Sequence, residues 1–264
     1  MRLILAALLA STALADSLPA LDKAALEPVL TMSWTSGGSC DADITDFVID
    51  TDGQPYIRTV GSFTPLTSIA LQAGDLTIVD EIGIGRTTTI YKLGADKTLR
   101  LWSEYYDPNF GNEPEPGAPA EEPMERVKDG LIVIDETGAP QAAAPTVPMT
   151  PCPARASVYP AEIITALEGT WATGDGKGGI CARDADSVTF QLSRPVPHVL
   201  RGPFGGEVSS TSYALAIAAE GEAYVVTEGN AFEAGDYTFT PDGKGGLVQA
   251  NPYADGPLEL HRCP

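Results

Sequence analysis

Apolar and polar side chains alternate along most of this chain beyond Met32. The alternation runs in short segments, and turn dipeptides such as Asp52-Gly53 and Ala73-Gly74 separate one segment from the next. Period-two alternation is typical of strands that bury one face, and frequent turns between short strands indicate an antiparallel sandwich or barrel. The strands predicted in the first half are residues 44–49, 55–60, 68–71, 76–79, 87–93 and 98–102.

The second half of the chain repeats the layout of the first. Segments 26–152 and 167–263 each begin with a leucine, reach a tryptophan (Trp34, Trp171), and end on a cysteine that proline follows. Residues 89–99 align with 236–247, and both predict a hairpin with an aspartate and a lysine in its turn. A duplicated unit of about eight strands is enough chain to close a small barrel. The strands predicted in the second half are 169–172, 187–192, 199–201, 212–218, 223–227, 236–240, 246–249 and 258–262.

The cysteine pattern predicts one disulfide within each copy. Four cysteines allow three pairings, and the repeat selects Cys40 with Cys152 and Cys181 with Cys263. In the chain-entropy model, a bridge that closes a loop of roughly a hundred residues contributes at most about 4 to 5 kcal/mol. The alternative is a metal or redox site, but the sequence contains no Cys-x-x-Cys motif.

The first fifteen residues have the layout of a secretory signal peptide. Arg2 precedes an apolar run, and Ala13-Leu14-Ala15 forms a small-x-small cleavage site. We therefore expect a mature chain that starts at Asp16 and is periplasmic or secreted, where thiols are normally paired. No second apolar run of about 18 residues occurs, so we expect a soluble protein without membrane insertion.

Proline-rich segments divide the mature chain. Residues 107–123 predict a long acidic loop inserted late in the first copy, and a second tract at 138–151 leads to Cys152. A third proline-rich segment, 153–160, predicts a stiff linker. The predicted organisation is a leader at 1–15, a first β-barrel domain at 16–152, the linker at 153–160, and a second β-barrel domain at 161–264.

The chain is strongly acidic, with 36 Asp and Glu against 16 Lys and Arg and a formal net charge of −20. Removal of the leader takes Arg2 with it, which makes the mature chain more negative still. Such a surface repels nucleic acid and anionic lipid. We interpret the charge as a means of keeping an exported protein in solution, and attraction to a basic partner or to divalent cations is the alternative.

No catalytic constellation occurs, and we predict neither enzyme activity nor a cofactor. His198 and His261 lie outside any recognisable motif, and a lone histidine is more often a packing or surface residue than a ligand. The densest carboxylate group faintly resembles a calcium loop but lacks its glycine, so we interpret it as solvated strand ends, with calcium binding as the alternative. This group comprises Asp41, Asp43, Asp46, Asp50 and Asp52.

A short motif in the second copy resembles a known class of barrel. The segment Leu167-Glu168-Gly169-Thr170-Trp171 is similar to the opening strand of lipocalin-like (calycin) barrels. With Cys181 and the closing segment 258–262, it looks most like the small exported bacterial barrels that inhibit metalloproteases. The resemblance implies an all-β fold of two tandem antiparallel barrels, lipocalin- or avidin-like. In the inhibitors the mature N-terminus enters the protease cleft, which implies that role for residues 16–18. The first copy departs from the motif, since Met32-Ser33-Trp34 lacks the glycine.

An aromatic cluster leads into the acidic loop and is the predicted binding site. Aromatic side chains are enriched at recognition surfaces, and loops on a rigid scaffold commonly carry function. The alternative is that these side chains close one end of the barrel over its core. The cluster consists of Trp102, Tyr105, Tyr106 and Phe110.

These observations predict an exported soluble binding or accessory protein that recognises a protein or envelope component through its barrel loops. A small apolar ligand carried in a barrel cavity is the second hypothesis, and inhibition of an envelope or secreted hydrolase is the third. A partner is favoured over a carried ligand because the predicted interior residues of the second copy are numerous enough to fill a small barrel. They are Val188, Phe190, Leu215, Ile217, Val225, Tyr237 and Phe239.

Overall fold

The computed structural model describes residues 21–40, 43–59, 61–81, 85–110, 122–134, 139–155, 158–174, 181–229, 234–250 and 256–264. The leader predicted at 1–15, residues 16–18, Asp41 and residues 111–121 of the acidic loop lie outside the described residues. Within these ranges the chain forms antiparallel strands and two short helices, which confirms a mostly-β fold.

The first half opens with helix α1, which Asp22 caps by accepting hydrogen bonds from the backbone N–H groups of Ala24 and Ala25, both at 3.1 Å. In the described part, twelve strands follow in two antiparallel sheets, ordered β12-β1-β2-β3-β4 and β11-β10-β9-β8-β7-β6-β5. The bounds are α1 Lys23–Leu30, β1 Met32–Thr35, β2 Ile44–Ile49, β3 Pro55–Thr59, β4 Ser62–Pro65, β5 Ser68–Gln72, β6 Asp75–Asp80, β7 Arg86–Leu93, β8 Leu99–Asp107, β9 Met124–Lys128, β10 Leu131–Ile134, β11 Pro140–Pro145 and β12 Thr150–Pro153.

The second half opens with helix α2 and closes into a barrel of eight antiparallel strands, β13 to β20 in chain order, because β20 pairs back onto β13. A closed barrel leaves no strand edge unpaired. The bounds are α2 Ala161–Leu167, β13 Gly169–Ala172, β14 Asp186–Gln191, β15 His198–Pro203, β16 Ser210–Glu220, β17 Ala223–Gly229, β18 Ala234–Pro241, β19 Gly246–Ala250 and β20 Leu258–Cys263.

The predicted barrel is therefore present in the second copy, whereas a closed barrel in the first copy is not confirmed. The first half has twelve described strands instead of the predicted eight or so, partly because the counterpart of β16 turns a corner and is divided into β4 and β5. At this corner the Leu66 N–H donates to Pro55 O at 2.9 Å and the Thr67 N–H donates to Val79 O at 2.8 Å. The other reason is an insertion of three strands, β9 to β11, between β8 and β12. Residues 140–145, predicted as part of a proline-rich tract, form the last of them.

The two halves repeat the same strand register around their first and last strands. Ser33, next to Trp34, pairs with Cys152, and Thr170, next to Trp171, pairs with Cys263. Each tryptophan donates its indole Nε1–H to a carbonyl of the preceding helix, at 3.2 Å in the first half and 2.8 Å in the second. The helices α1 and α2 are thus fixed to equivalent strands by the same contact.

Register also assigns equivalent positions in the two halves. The Leu66 N–H donates to the Pro55 carbonyl, and the Ala214 N–H donates to the Pro197 carbonyl in the same way. Pro55 and Pro197 are therefore equivalent, and so are the residues four positions beyond each proline. Both aligned segments are hairpins, and their first turn residues, Gly94 and Asp242, are equivalent as well. Counting from these anchors gives the pairs Thr59 and Arg201, Asp80 and Glu228, Leu99 and Leu247, Leu101 and Gln249, and Met149 and Leu260.

Both predicted disulfides are confirmed. Cys40 is bonded to Cys152 with a Cα–Cα distance of 5.7 Å, and Cys181 is bonded to Cys263 with a Cα–Cα distance of 5.8 Å. Each bridge joins the segment after the first strand of a half to the last strand of the same half. No helix among the described residues is long and apolar enough to cross a membrane.

Each half has its own apolar core, and a third, smaller cluster lies where the halves meet. Trp34, Phe47 and Leu99 belong to the first core, and Phe190 and Phe239 belong to the second, with ring centroids 5.1 Å apart. Burial of each such side chain contributes about 1.5 to 3 kcal/mol. The junction cluster consists of Tyr56, Phe63 and Val196, with Tyr213 and Leu215 packed against it.

Two of the predicted interior residues are placed differently from the prediction. A register shift between Ala214 and Ala216 changes which side chains of β16 point inward, so Leu215 packs at the junction instead of inside the barrel. On β17 the core residue is Val226, which is fully buried, and its neighbour Val225 is only half-buried. The other five pack in or against the barrel core.

Candidate functional site

The predicted aromatic site lies on the second part of β8 and the turn after it. Tyr105 pairs with Thr88 and Tyr106 pairs with Thr87 on β7. Since successive side chains of a strand point to opposite faces, the two tyrosines project to opposite faces of the seven-stranded sheet. The sequence therefore located the aromatic residues but grouped side chains that the sheet separates.

Three of the four predicted aromatics form one surface, which we call the aromatic face and define as Trp102, Tyr105 and Phe110 with Arg86 and Lys92. The Lys92 Nζ lies 4.0 Å from the ring centroid of Trp102, and the Arg86 Cζ lies 3.4 Å from that of Phe110. Tyr105 is 42% exposed and Phe110 is 36% exposed. Cation–π contacts of this kind orient the rings while leaving them accessible.

The inserted strands support the aromatic face from one side. Gly130, in the turn between β9 and β10, donates its N–H to Trp102 O at 2.8 Å. Its φ is +76°, and a Cβ at this position would lie 3.4 Å from Cε3 of the Trp102 ring. The left-handed backbone conformation of this turn favours glycine, and the distance to the indole would place a Cβ in ordinary contact with the ring. Arg86 is held by Glu81, whose Oε1 accepts hydrogen bonds at 2.6 and 2.8 Å.

Tyr106 lies on the opposite face, the one that carries the core residues of β6. Its ring approaches the backbone at Gly85, where a Cβ would lie 2.8 Å from Cε2 of the ring, and Arg126 lies 5.6 Å from its centroid. Asp80 and Glu104 share this face. Burial, together with the charges of Glu104 and Glu81, raises the pKa of the Asp80 carboxyl above its usual range.

A buried charge network inside the second-half barrel was not predicted from the sequence. The Arg201 guanidinium donates to both carboxylate oxygens of Glu228, at 2.6 and 3.1 Å, and to Gln249 Oε1 at 3.4 Å. It also lies 4.5 Å from the ring centroid of Tyr237, and Ser212 Oγ donates to Glu228. Each charge has its partners within the lumen, so the network is a structural element of the barrel. The signal that could have found it is a charged residue at an inward position of the alternating pattern.

A second buried network lies at the junction of the halves. Asp50 and Arg194 form an ion pair across 144 residues of sequence, and Asp46 accepts from Arg58 Nε at 2.8 Å. His198 is buried beside them, with Nδ1 4.0 Å from Asp50, and its burial together with the charge of Arg194 lowers the pKa of the imidazole. No local pattern in the sequence pointed to partners so far apart.

Asp46 and Asp50, from the group with calcium binding as its alternative interpretation, are thus arginine partners in the folded chain. Within the described ranges, no group of three or more His, Cys, Asp and Glu residues is arranged to hold a metal ion. His261, the other histidine considered above, is half-buried on β20 and pairs with Ala172 in the barrel wall.

No protein-family model, curated protein or solved structure matches the chain. Its function is therefore argued below from the geometry of the three regions described: the aromatic face, the barrel lumen and the junction.

Proposed function

We propose that the chain is an exported accessory protein that binds a protein partner through the aromatic face. The observation that carries this proposal is the contrast between equivalent halves: the insertion occurs in one of them only and it supports exposed aromatic rings. Since β8 is equivalent to β19, the segment of β8 beyond Ser103 extends past the position where β19 ends.

The composition of the aromatic face favours a protein partner. Tyrosine, tryptophan and arginine are the residues most enriched among side chains that dominate binding energies at protein interfaces. Tyr105 and Phe110 are exposed, and the stacked cations restrict the motion of the rings on either side of Tyr105. A rigid sheet that presents oriented aromatic rings loses little conformational entropy when a partner binds.

The carrier hypothesis has less support. A pocket for a typical small ligand has a volume of about 300 to 1,000 Å³ and is mostly apolar. In the described barrel, the fully buried Phe190 and Phe239 rings pack against each other in the core, and the lumen also holds the buried Glu228 with its partner, the partly exposed Arg201. The inhibitor hypothesis depends on residues 16–18, which lie outside the described ranges.

The proposal includes the origin and the compartment of the protein. We propose that residues 1–15 are removed on export to the periplasm or the medium, where the two disulfides form. We also propose that both halves descend from one lipocalin-like barrel of about eight strands. In this account the first copy opened when three strands were inserted ahead of its last strand.

The proposal is tested by partner capture followed by a measured affinity. The mature chain, starting at Asp16, is used to capture envelope proteins, and the captured protein is purified and its dissociation constant is measured. We expect Tyr105→Ala to weaken binding by at least tenfold, since truncation of a central aromatic residue typically costs about 2 kcal/mol. The matched control is Val208→Ala, which removes an exposed apolar side chain from the second half and should leave the affinity unchanged.

Two outcomes would contradict the proposal. The first is a partner that binds Tyr105→Ala and Phe110→Ala variants as tightly as the wild type. The second is a mature chain that captures no protein but retains a small apolar molecule in native mass spectrometry, which would support the carrier hypothesis instead.

A further inference from the structure

A cavity of about 240 Å³ lies at the junction of the halves, away from the aromatic face and outside the barrel lumen. Residues of the first half, the connecting segment and the second half all contribute to its wall. The lining includes apolar side chains, Met32, Val48 and Val158, and charged side chains, Asp46, Arg58 and Arg155. A cavity with this lining suits a compact molecule that has one charged end and one apolar end.

The charges around this cavity are not evenly matched. Arg194, which also lines it, is bound by Asp50 and lies 3.7 Å from Asp52. Asp46, by contrast, is the carboxylate that faces two arginines, with Arg58 at 2.8 Å and Arg155 at 3.8 Å. Two guanidinium groups therefore share the Asp46 carboxylate, whereas Arg194 has two carboxylates within 4 Å.

Arg155 is the arginine with unused hydrogen-bonding capacity. Its Nε is buried and has no hydrogen-bond partner in the part of the chain that the structure describes. The 3.8 Å separation from Asp46 is an ion-pair distance but is too long for a hydrogen bond. Arg155 is therefore less well satisfied than Arg58, and because a third of its side chain is exposed, an incoming anion can reach its guanidinium group.

Arg58 is oriented so that it can assist. Its Nε donates to Asp46 and its Nη1 donates to the carbonyl of Pro195 at 3.2 Å, which fixes the guanidinium across the junction. The Nη2 group takes part in neither bond. An anion between Arg155 and Arg58 would therefore meet two guanidinium groups, one of them already held in place by both halves.

We propose that this junction cavity binds a small monocarboxylate, with the carboxylate between Arg155 and Arg58 and a short apolar tail against Met32, Val48 and Val158. A ligand with one negative charge, together with Asp46, would balance the charges of Arg58 and Arg155. A dianion would leave an excess negative charge beside the buried Asp46. The cavity is smaller than the pockets of about 300 Å³ or more that hold drug-sized ligands, so the tail is short. This site is independent of the proposed partner-binding function.

Binding at the junction has a structural consequence. The ligand would contact residues from both halves at once, so it would stabilise their packing against each other. Any ligand that binds the folded chain and not the unfolded chain raises the apparent stability by RT ln(1 + L/Kd), where L is the free ligand concentration. The rise of the melting temperature with ligand concentration therefore reports binding at this site.

The test uses sodium hexanoate as the probe, titrated into the mature full-length chain at constant ionic strength. We expect one molecule to bind per chain, as measured by calorimetry, and the melting temperature to rise with its concentration. Hexanamide has the same shape without the charge, and inorganic phosphate supplies charge without the tail. Both should bind at least tenfold more weakly than hexanoate.

Two variants locate the binding site. Arg155→Gln removes the charge and should weaken hexanoate binding at least tenfold, while Arg183→Gln, at an exposed arginine of the second half, should leave binding unchanged. Ala154→Phe adds a ring at an exposed position of the cavity wall and should block binding without disturbing either core. This second variant keeps the test decisive even if the loss of Arg155 destabilises the junction.

Several outcomes would overturn the inference. One is a melting temperature that hexanoate raises no more than sodium chloride of equal ionic strength. Another is a hexanoate affinity that is unchanged in both Arg155→Gln and Ala154→Phe. A third is tighter binding of phosphate than of hexanoate, which excludes a monocarboxylate with an apolar tail as the preferred ligand.

Discussion

The two halves share one strand register but differ in closure. In the second half, β19 and β20 pair at four positions from Gly246 to Gln249, and this ladder completes the barrel. In the first half the equivalent pairing of β8 with β12 begins at Leu99 and Met149 and goes no further in the described residues. The chain upstream of Met149 is diverted into the inserted strands. The described first half is thus open at this seam and at the corner between β4 and β5, where its two sheets separate, although it has a core and a disulfide like those of the second half.

The difference shows that two halves with the same strand register can present different surfaces. The second half is a closed barrel with a charged pair, Arg201 and Glu228, in its lumen. The first half has a longer β8 that exposes aromatic rings. The core of each half remains intact, so the inserted strands can vary with little effect on stability.

The largest expected effects concern the disulfides at the two seams. Replacing both cysteines of either pair by serine should lower the free energy of unfolding by up to about 4 to 5 kcal/mol, since both bridges close long loops. The two double variants should differ more in the local stability of the affected strand than in the free energy of global unfolding. Without Cys40–Cys152, the amides of β12 should exchange much faster, because β12 pairs only with β1 in the described residues, apart from the bridge between Met149 and Leu99 just before it. Without Cys181–Cys263, β20 keeps two full neighbours.

Denaturant unfolding and native-state hydrogen exchange measure these two quantities, with each double variant serving as the matched control for the other. Equal exchange rates for β12 and β20 in the two variants would contradict the view that the first half is the one with a weakened seam.

The sequence predicted those features that depend on local pattern and on the repeat. Alternation gave the strands, and the repeat gave both disulfides, because each copy places its cysteines at equivalent ends. It did not predict the division of Tyr105 and Tyr106 between two faces, because the predicted strand ended at residue 102, whereas β8 continues to Asp107 and its successive side chains alternate in direction. It also missed the ion pairs at the junction, such as Asp50 with Arg194, because nothing local links residues 144 positions apart.

The next prediction concerns the equivalent positions Arg201 and Thr59. Arg201→Ala leaves the buried Glu228 carboxylate without its partner, and the loss of one member of a buried ion pair costs about 3 to 5 kcal/mol. Thr59→Ala, at the exposed equivalent position, should change the stability by less than about 0.5 kcal/mol. Urea unfolding of both variants measures the contrast. The prediction is wrong if the two substitutions have similar costs.

A smaller effect is expected at the junction, where the halves meet at His198. Because burial and Arg194 lower the pKa of this imidazole, the folded protein binds a proton less readily than the unfolded chain does. The stability should therefore fall as the pH falls through and below the ordinary histidine value of about 6.5. Asp50, Asp52, Tyr213 and Arg194 all lie close to the ring or act on its charge.

The measurement is the free energy of unfolding between pH 8 and pH 5 in the wild type and in His198→Gln. The free energy of unfolding of the variant should decline less steeply as the pH falls, since the imidazole with the lowered pKa is absent. His261→Gln is the matched control on the barrel wall and should follow the wild-type curve. A decline of equal slope in His198→Gln would assign the pH dependence to other groups.

The smallest expected effect concerns the equivalent carboxylates Asp80 and Glu228. Replacing each by its amide should change the stability in opposite directions. The pKa of Asp80 is raised in the folded state, so its ionisation at neutral pH destabilises the first half. Asp80→Asn should therefore stabilise the protein at pH 7 by roughly 0.5 kcal/mol, a value discounted for partial exposure to solvent. The gain should vanish as the pH falls to the ordinary carboxyl range, where the wild-type Asp80 is protonated in both states. Glu228→Gln should instead destabilise the protein at pH 7, because Arg201 loses its charged partner. Thermal unfolding at pH 7 and pH 4 measures both variants. Shifts of the same sign at pH 7 would contradict the prediction that these two carboxylates, although equivalent in strand register, have opposite effects on stability.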